Sequence, residues 1–341
     1  MHGLIFEGRH KVRLADLADP HIELPTDAIV EVVLAGLCGS DLHPYEGRET
    51  CATGVVPGHE AVGIVRAVGE EVSAVVPGDR VIVPFTVSCG TCDRCRAGLS
   101  SRCRQSRLFG WGDPSGDPPP LHGAQADRLR VPLADGTLVP VPDQIDDATA
   151  LLLSDNFPTA WHAVARTDHQ GAPLAIVGLG AVGLCAVAAA RAQGVERIVG
   201  IDPVEERRRH AEDLGATVLA PDQVEDTFPA VVEAAGPPSA QQLAARIADI
   251  GATVSIIAVQ TEPHFAIGPV TAYDKNLTIR AGRAPVRSIL DDILAGLPNG
   301  GIQIPTDVVI SHPDRPLGDG PELYRAFADR TIRKATFRPG T

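Results

Sequence analysis

Apolar positions are arranged differently along the two parts of this chain. Up to about Asp143 they form short β-branched runs, Ala28 to Leu34, Ala61 to Val68 and Asp79 to Val83. Turn signals such as Pro57-Gly58 and Pro77-Gly78 separate them, a pattern that predicts a β-rich region. Gly110 to Gly123, with Asp113-Pro114 and Pro118 to Pro120, predicts a loop. After about Ala148 short apolar runs alternate with helical periodicity. The spacing predicts strands over Leu174 to Val177, Arg197 to Ile201, Ala230 to Ala234 and Thr253 to Val259. Helices are predicted over Leu184 to Gln193, Val204 to Leu214 and Ala240 to Asp249, with Gly194 and Gly215 as stop signals for the first two. Strands alternating with helices imply βαβ units and a parallel sheet. From about Pro285 a helix over Pro321 to Asp329 and a terminal strand are expected. The simplest organisation is α/β, with a nucleotide-binding domain inserted between two parts of a β-rich one.

Composition narrows the function. With 341 residues, 44 % of them hydrophobic and 21 % charged, the chain suffices for two folded domains. A formal net charge of −13 argues against nucleic acid or an anionic membrane as main partner. The uncharged stretch Pro173 to Ala190 approaches the length of a membrane span but is broken by glycines, so a strand, a turn and a packed helix are expected. Met1 to Asp16 lacks the apolar core and cleavage site of an export signal, which predicts a cytoplasmic protein.

Two groups of residues suggest metal. Cys89-x2-Cys92-x2-Cys95-x7-Cys103 brings four thiolates close enough to close a tetrahedron around one Zn²⁺, the pattern of a structural site. A redox Cys-x-x-Cys would need a thioredoxin-like context that is missing here, and an iron–sulfur cluster is the other reading. Cys51 and Cys185 stand outside this group. Cys38-Gly39-Ser40-Asp41-Leu42-His43 follows a predicted strand, and Gly58-His59-Glu60 precedes another. Cys38, His59 and a carboxylate would make three ligands with one open position, as in catalytic zinc sites. Spacing alone leaves that reading level with a structural one and does not name the third ligand.

Gly178-Leu179-Gly180-Ala181-Val182-Gly183 is a G-x-G-x-x-G between a predicted strand and a predicted helix, the setting of a dinucleotide fingerprint. Asp202 closes the second strand. A carboxylate there accepts from ribose hydroxyls and repels a 2′-phosphate, which favours NAD over NADP. Arg207 to Arg209 are expected on a solvated helix face.

Taken in order, these motifs resemble the zinc-dependent medium-chain dehydrogenase family over nearly the whole chain. Leu153-Ser154-Asp155-Asn156-Phe157-Pro158-Thr159 resembles the branch holding glutathione-independent formaldehyde dehydrogenases and polyol and threonine dehydrogenases. The resemblance implies a GroES-like catalytic domain (1–154 and 285–341, metal lobe about 88–104) and a Rossmann domain (155–284), with the site in the cleft between them. It implies Cys38, His59 and Asp155 around a catalytic zinc, with Asp155 where the commonest alcohol dehydrogenases place a cysteine. Glu60 would lie next to the metal, either ligating it transiently or standing as an outer group, and Asp41 would orient His59. Ser40 would take the alcohol proton and pass it to a surface His43. Thr159 and Val182 would pack near the nicotinamide, and Arg333 or Lys334 would neutralise the pyrophosphate. Implied with these are about two zinc ions per chain, NAD, a small alcohol or carbonyl substrate, and a homodimer or homotetramer. Two other readings stay open: a reductase of an imine or activated double bond, and a non-catalytic nucleotide-binding regulator. Phe109, Trp111 and Trp161 are either pocket-lining or packing residues. His122 and His162 are expected to be structural.

Overall fold

The computed structural model describes residues 1–50, 53–112 and 117–340, so Cys51 and Asp113-Pro114 lie outside the described residues. The chain forms two compact units. One comprises Met1–Asp155, Pro285–Asp291 and Ile310–Thr341; the other comprises Asn156–Ala284 and Asp292–Val309. Asp155 thus falls with the first unit. The segment 292–309 falls with the second, where the short helix Thr306–Val309 packs on Ala181–Ala192 and buries Val309.

The first unit is built on a seven-stranded sheet. Along it lie His312–Arg315, Ala335–Phe337, Ala28–Gly36, Ala61–Val68, Arg80–Val83 and Val139–Pro140, with Arg128–Val131 also paired to Ala28–Gly36. All pairs are antiparallel except His312–Arg315 with Ala335–Phe337. Register shifts between Ile29 and Val30 and between Val32 and Leu34 interrupt the ladder with Ala61–Val68. Such irregularities increase local twist and curl a sheet. Val30, Val65, Val83, Leu129, Tyr324 and Phe337 share its apolar core. The hairpin His2–Gly8 with Lys11–Asp16 forms a separate two-stranded sheet.

The pairing determines which residues meet at one end of this sheet. The end of Ala28–Gly36 pairs on one side with the start of Ala61–Val68, through Ala35 and Ala61. On its other side Gly36 pairs with Thr336. Cys38 follows the first strand, while His59 and Glu60 precede the second and Lys334 precedes the third. Residues far apart in sequence therefore converge through backbone register alone.

The second unit carries six parallel strands. Their order is Thr217–Leu219, Ile198–Ile201, Leu174–Val177, Phe228–Glu233, Ala248–Ile256, Thr278–Ala281. Numbered by sequence this is 3-2-1-4-5-6, the doubly wound dinucleotide-binding topology. Leu174–Val177 and Ile198–Ile201 are buried at every position, as expected for strands covered by helices on both faces. The uncharged stretch resolves into Leu174–Val177, a turn and the helix Ala181–Ala192. Among the described residues no helix is long and apolar enough to cross a membrane. Pro238–Ile247 ends two residues earlier than periodicity suggests, because the chain turns extended at Ala248 and enters Ala248–Ile256.

Candidate functional site

The convergence in the first unit gathers Cys38, His59, Glu60 and Asp155. Each offers one ligand atom, and these atoms all lie within 4.8 Å of one another. Cys38 Sγ is 3.5 Å from Asp155 Oδ2, and His59 Nε2 is 3.6 Å from the same oxygen. Two ligands on a tetrahedral ion with bonds of about 2.0–2.3 Å stand roughly 3.3–3.8 Å apart. The thiol, imidazole and carboxylate therefore match the spacing that one zinc ion requires. Ser40 Oγ overlooks the same space, 3.2 Å from His59 Nε2 and 3.5 Å from Cys38 Sγ.

Local structure places each donor. Gly39–Asp41 forms a 3-10 turn in which Asp41 Oδ2 accepts from the Cys38 N–H at 2.9 Å. Asp41 Oδ1 faces His59 Nδ1 at 3.3 Å, which leaves Nε2 toward Cys38 and Asp155. Asp155 follows the helix Asp147–Ser154, whose N-cap Asp146 accepts from Thr149 N–H. Ser154 is tied back by the Phe85 N–H, and the Phe85 ring stands edge-on to His59.

Burial sharpens the electrostatics. Burial, with the charges of Glu60 and Asp155, lifts the Cys38 thiol above its ordinary range. Burial disfavours a charged His59, yet Asp41, Asp155 and Cys38 together carry its pKa well above the usual value. This is the balance expected where negative groups surround a place for a cation.

Glu60 is paired with Lys334, whose Nζ donates to Oε2 at 2.5 Å. Burial opposes the ammonium, but Glu60, Cys38 and Asp155 hold its pKa above the ordinary range. A Cβ on Gly36 would lie 1.7 Å from Glu60 Oε2, so only glycine leaves room for this carboxylate. Lys334 was one of two candidates for the cofactor pyrophosphate; its full burial against Glu60 commits it elsewhere. The sequence signal for this was a lysine at the head of an apolar strand.

The four-cysteine lobe forms the second donor group, again with ligand atoms within 4.8 Å. Cys92 Sγ and Cys103 Sγ are 3.9 Å apart, well beyond the ~2.05 Å of a disulfide. Backbone N–H groups point at the sulfurs: Cys92 at Cys89 Sγ, and Cys89 and Gln105 at Cys103 Sγ. The Arg104 and Cys95 backbones pull the Cys92 thiol down to about 6, while burial and neighbouring thiols push Cys95 up to about 12.

In the second unit the fingerprint glycines differ in their steric demands. A Cβ on Gly183 would sit 1.9 Å from the Gly178 carbonyl oxygen, whereas one on Gly180 would meet nothing within 4 Å. Gly183 is thus needed for helix–turn packing, and Gly180 keeps open the backbone at the start of the helix Ala181–Ala192. That terminus presents free N–H groups suited to a phosphate. Asp202 is buried; its oxygens accept from Leu179 N–H at 2.9 Å and Val204 N–H at 2.8 Å. Arg207 Nη1 stands 3.7 Å from Asp202 Oδ2, and Arg208 Nη1 donates to the Asp202 carbonyl. These two arginines are half-buried against Asp202, while Arg209 is exposed.

Other candidates sort by burial. His43 is buried rather than at the surface, because the short helix Leu42–Tyr45 turns it inward; its Nδ1 lies 3.8 Å from a Glu49 oxygen. Phe109 is a core residue of the first unit. Trp111 pairs through its backbone with Leu121, and the Trp161 ring lies tilted against Phe157. His122 Nδ1 accepts from Val56 N–H. Thr159 and Val182 are both half-buried in the second unit.

Two metal-spaced donor groups in the first unit and a doubly wound sheet with a glycine fingerprint in the second are features of metal-dependent oxidoreductases. Comparison with known proteins narrows the class. Residues 24–143 match the alcohol dehydrogenase GroES-like domain, and residues 181–286 match the zinc-binding dehydrogenase domain. Zinc-type alcohol dehydrogenase B of Aspergillus flavus is 32 % identical, across 100 % of this chain and 82 % of its own length. Glutathione-independent formaldehyde dehydrogenase of Pseudomonas aeruginosa is 34 % identical across 62 % of this chain and 57 % of its own length. The alcohol dehydrogenase TADH from Thermus sp. ATN1 superposes with a TM-score of 0.90 at 33 % identity, covering 99 % of this chain and 100 % of that one. The chain belongs to the zinc-dependent medium-chain alcohol dehydrogenase family and is an enzyme of the oxidoreductase class.

Proposed function

We propose that the protein catalyses the reversible oxidation of an alcohol to an aldehyde or ketone with NAD as hydride acceptor. The observation that carries this is the spacing of Cys38 Sγ, His59 Nε2 and Asp155 Oδ2 beside Ser40 Oγ. Cys38, His59 and Asp155 would hold a catalytic zinc, and Cys89, Cys92, Cys95 and Cys103 a structural one. Bound there, zinc supplies a Lewis acid that lowers the pKa of an alcohol and polarises a carbonyl. Asp41 holds His59 so that Nε2 stays directed inward. Ser40 Oγ would take the alcohol proton as it gives up its own toward His43, whose Nδ1 faces the Glu49 carboxylate as the next acceptor. Lys334 balances the charge of Glu60, which stands beside the three ligands and would be the carboxylate able to approach the metal transiently.

Gly178, Gly180, Val182 and Gly183 would receive the pyrophosphate, Thr159 and Val182 would border the nicotinamide, and Asp202 would accept from the adenosine ribose. With Lys334 committed to Glu60, Arg333 is the remaining candidate for the pyrophosphate charge. The carboxylate of Asp202 supports NAD, although Arg207 beside it softens the repulsion of a 2′-phosphate. A homodimer or homotetramer is supported by the edge strand Thr278–Ala281, exposed along its length, and by exposed Val270 and Tyr273 nearby in sequence. Unpaired strand edges invite a second copy.

The test is elemental analysis together with NADH formation on a panel of small alcohols and polyols. About two zinc ions per chain with turnover support the reading. About one zinc ion, without turnover, overturns it and leaves only the structural lobe.

A further inference from the structure

A buried polar line runs behind the donor group and ends on a helix near the end of the chain. Tyr324, on Gly320–Ala328, donates its hydroxyl to Gln125 Oε1 at 2.8 Å. Gln125 Nε2 donates to the Gly36 carbonyl at 2.9 Å and approaches Asp41 Oδ2 at 3.4 Å. That Asp41 carboxylate receives the Cys38 N–H and faces His59 Nδ1. Tyr324 and Gln125 are fully buried and Asp41 is 2 % exposed, so solvent does not compete for these bonds.

The chemistry fixes the direction of the line. A reversed Gln125 amide would turn its oxygen toward the Gly36 carbonyl and the Asp41 carboxylate, leaving two acceptor contacts unmet. The side chain is also clamped sterically. A Cβ on Gly58, the residue before His59, would lie 2.6 Å from Gln125 Cγ. The Tyr324 ring is held by Phe6 and Tyr45 at centroid distances of 6.1 and 5.2 Å.

We infer that Gln125 and Tyr324 are positioning residues for the metal centre. They hold the Asp41 carboxylate in one rotamer and, through it, the ring orientation of His59. The helix Gly320–Ala328 is thereby linked, through Tyr324, to the geometry of His59. This rests on the proposed metal role of Cys38, His59 and Asp155. Removing the amide takes one donor from Asp41 Oδ2 and loosens the hold of that carboxylate on His59. Outer partners of metal ligands commonly change affinity by about 10–100-fold.

The test uses full-length Gln125→Leu, Tyr324→Phe and the double variant. Co²⁺ is exchanged into the Cys38–His59–Asp155 site, and its ligand-field absorption is recorded with the rate of metal loss to a chelator. Metal in the cysteine lobe serves as the internal reference. Shifted cobalt bands are expected, with metal loss accelerated on the order of ten-fold in Gln125→Leu and less in Tyr324→Phe. The double variant should be no worse than Gln125→Leu, since both act through one line. Tyr324→Phe keeps the ring and its packing, so it carries the test if Gln125→Leu does not fold. Variants of lower stability with unchanged cobalt bands and unchanged release would overturn the inference and leave the metal assignment standing. A wild-type chain that binds metal only in the lobe would overturn both.

Discussion

Lys334 Nζ and Glu60 Oε2 form an ion pair in which both side chains are 1 % exposed, joining residues 274 positions apart beside Cys38 and Asp155. Both charges have been taken out of water, and each is tolerated because of the other. Lys334→Met leaves the Glu60 carboxyl without its cation. The expected loss is about 3–5 kcal/mol, read from the urea unfolding midpoint. The double variant Glu60→Gln/Lys334→Met should recover most of it. A single variant with wild-type stability would mean the pair contributes nothing to the fold.

Asp202 has two jobs that substitution can separate. As an acceptor for Leu179 and Val204 N–H groups it stiffens the fingerprint turn, and in the proposed NAD site its charge would oppose a 2′-phosphate. Asp202→Asn keeps an acceptor oxygen and drops the charge. The NADH-over-NADPH preference should fall by roughly ten-fold, about 1.4 kcal/mol, in a nucleotide fluorescence titration. Arg207→Ala should shift the preference the other way. An unchanged preference in Asp202→Asn would remove Asp202 from the ribose site.

The fingerprint glycines should respond oppositely to alanine. Gly183→Ala forces a Cβ against the Gly178 carbonyl at 1.9 Å, and a loss of about 3 kcal/mol is expected from overpacking. Gly180→Ala meets no protein atom, so it should fold normally and weaken dinucleotide binding. Thermal unfolding and nucleotide titration of the two variants check the contrast.

In the cysteine lobe, Cys103→Ser removes one of four donors. Elemental analysis should show the metal content fall by about one ion per chain. Limited proteolysis should then cut within 88–104, because a polar loop without its metal lacks an apolar core. A variant with full metal content and an uncut lobe would exclude the four-thiolate site.

His162 gives a pH dependence of known sign. Burial, with Arg166 close by, pulls its pKa down to about 4. The unfolded chain takes up this proton near pH 6.5, before the folded chain does. Stability should therefore fall as pH drops from about 6.5 toward 4 and level off below. His162→Gln should flatten that part of the profile in urea unfolding measured across the range. A parallel profile for the two proteins would show that His162 does not set it.

Much of the architecture was legible in sequence because local patterns carry it. Ala61–Val68 and Leu174–Val177 match the predicted spans, since β-branched runs bounded by turn signals leave few alternatives. Glu205–Asp213 lies one residue inside its predicted limits at each end. The hairpin His2–Gly8 with Lys11–Asp16 was not picked out, because charged residues interrupt its alternation. Helical periodicity places Arg207 and Arg208 on a solvated face, since it does not show that a strand end lies within their reach.

By itself the sequence determined the parts that depend on short spacing: the thiolate cluster, the fingerprint with its carboxylate, and the order of motifs that marks the family. Tertiary structure alone decided that Lys334 meets Glu60, that His43 is buried, and that Gln125 and Tyr324 stand behind Asp41. The physical reason lies in the register of Ala28–Gly36. Its hydrogen bonds to Ala61–Val68 on one side and Ala335–Phe337 on the other bring three distant segments to one buried place, and no local pattern encodes that pairing.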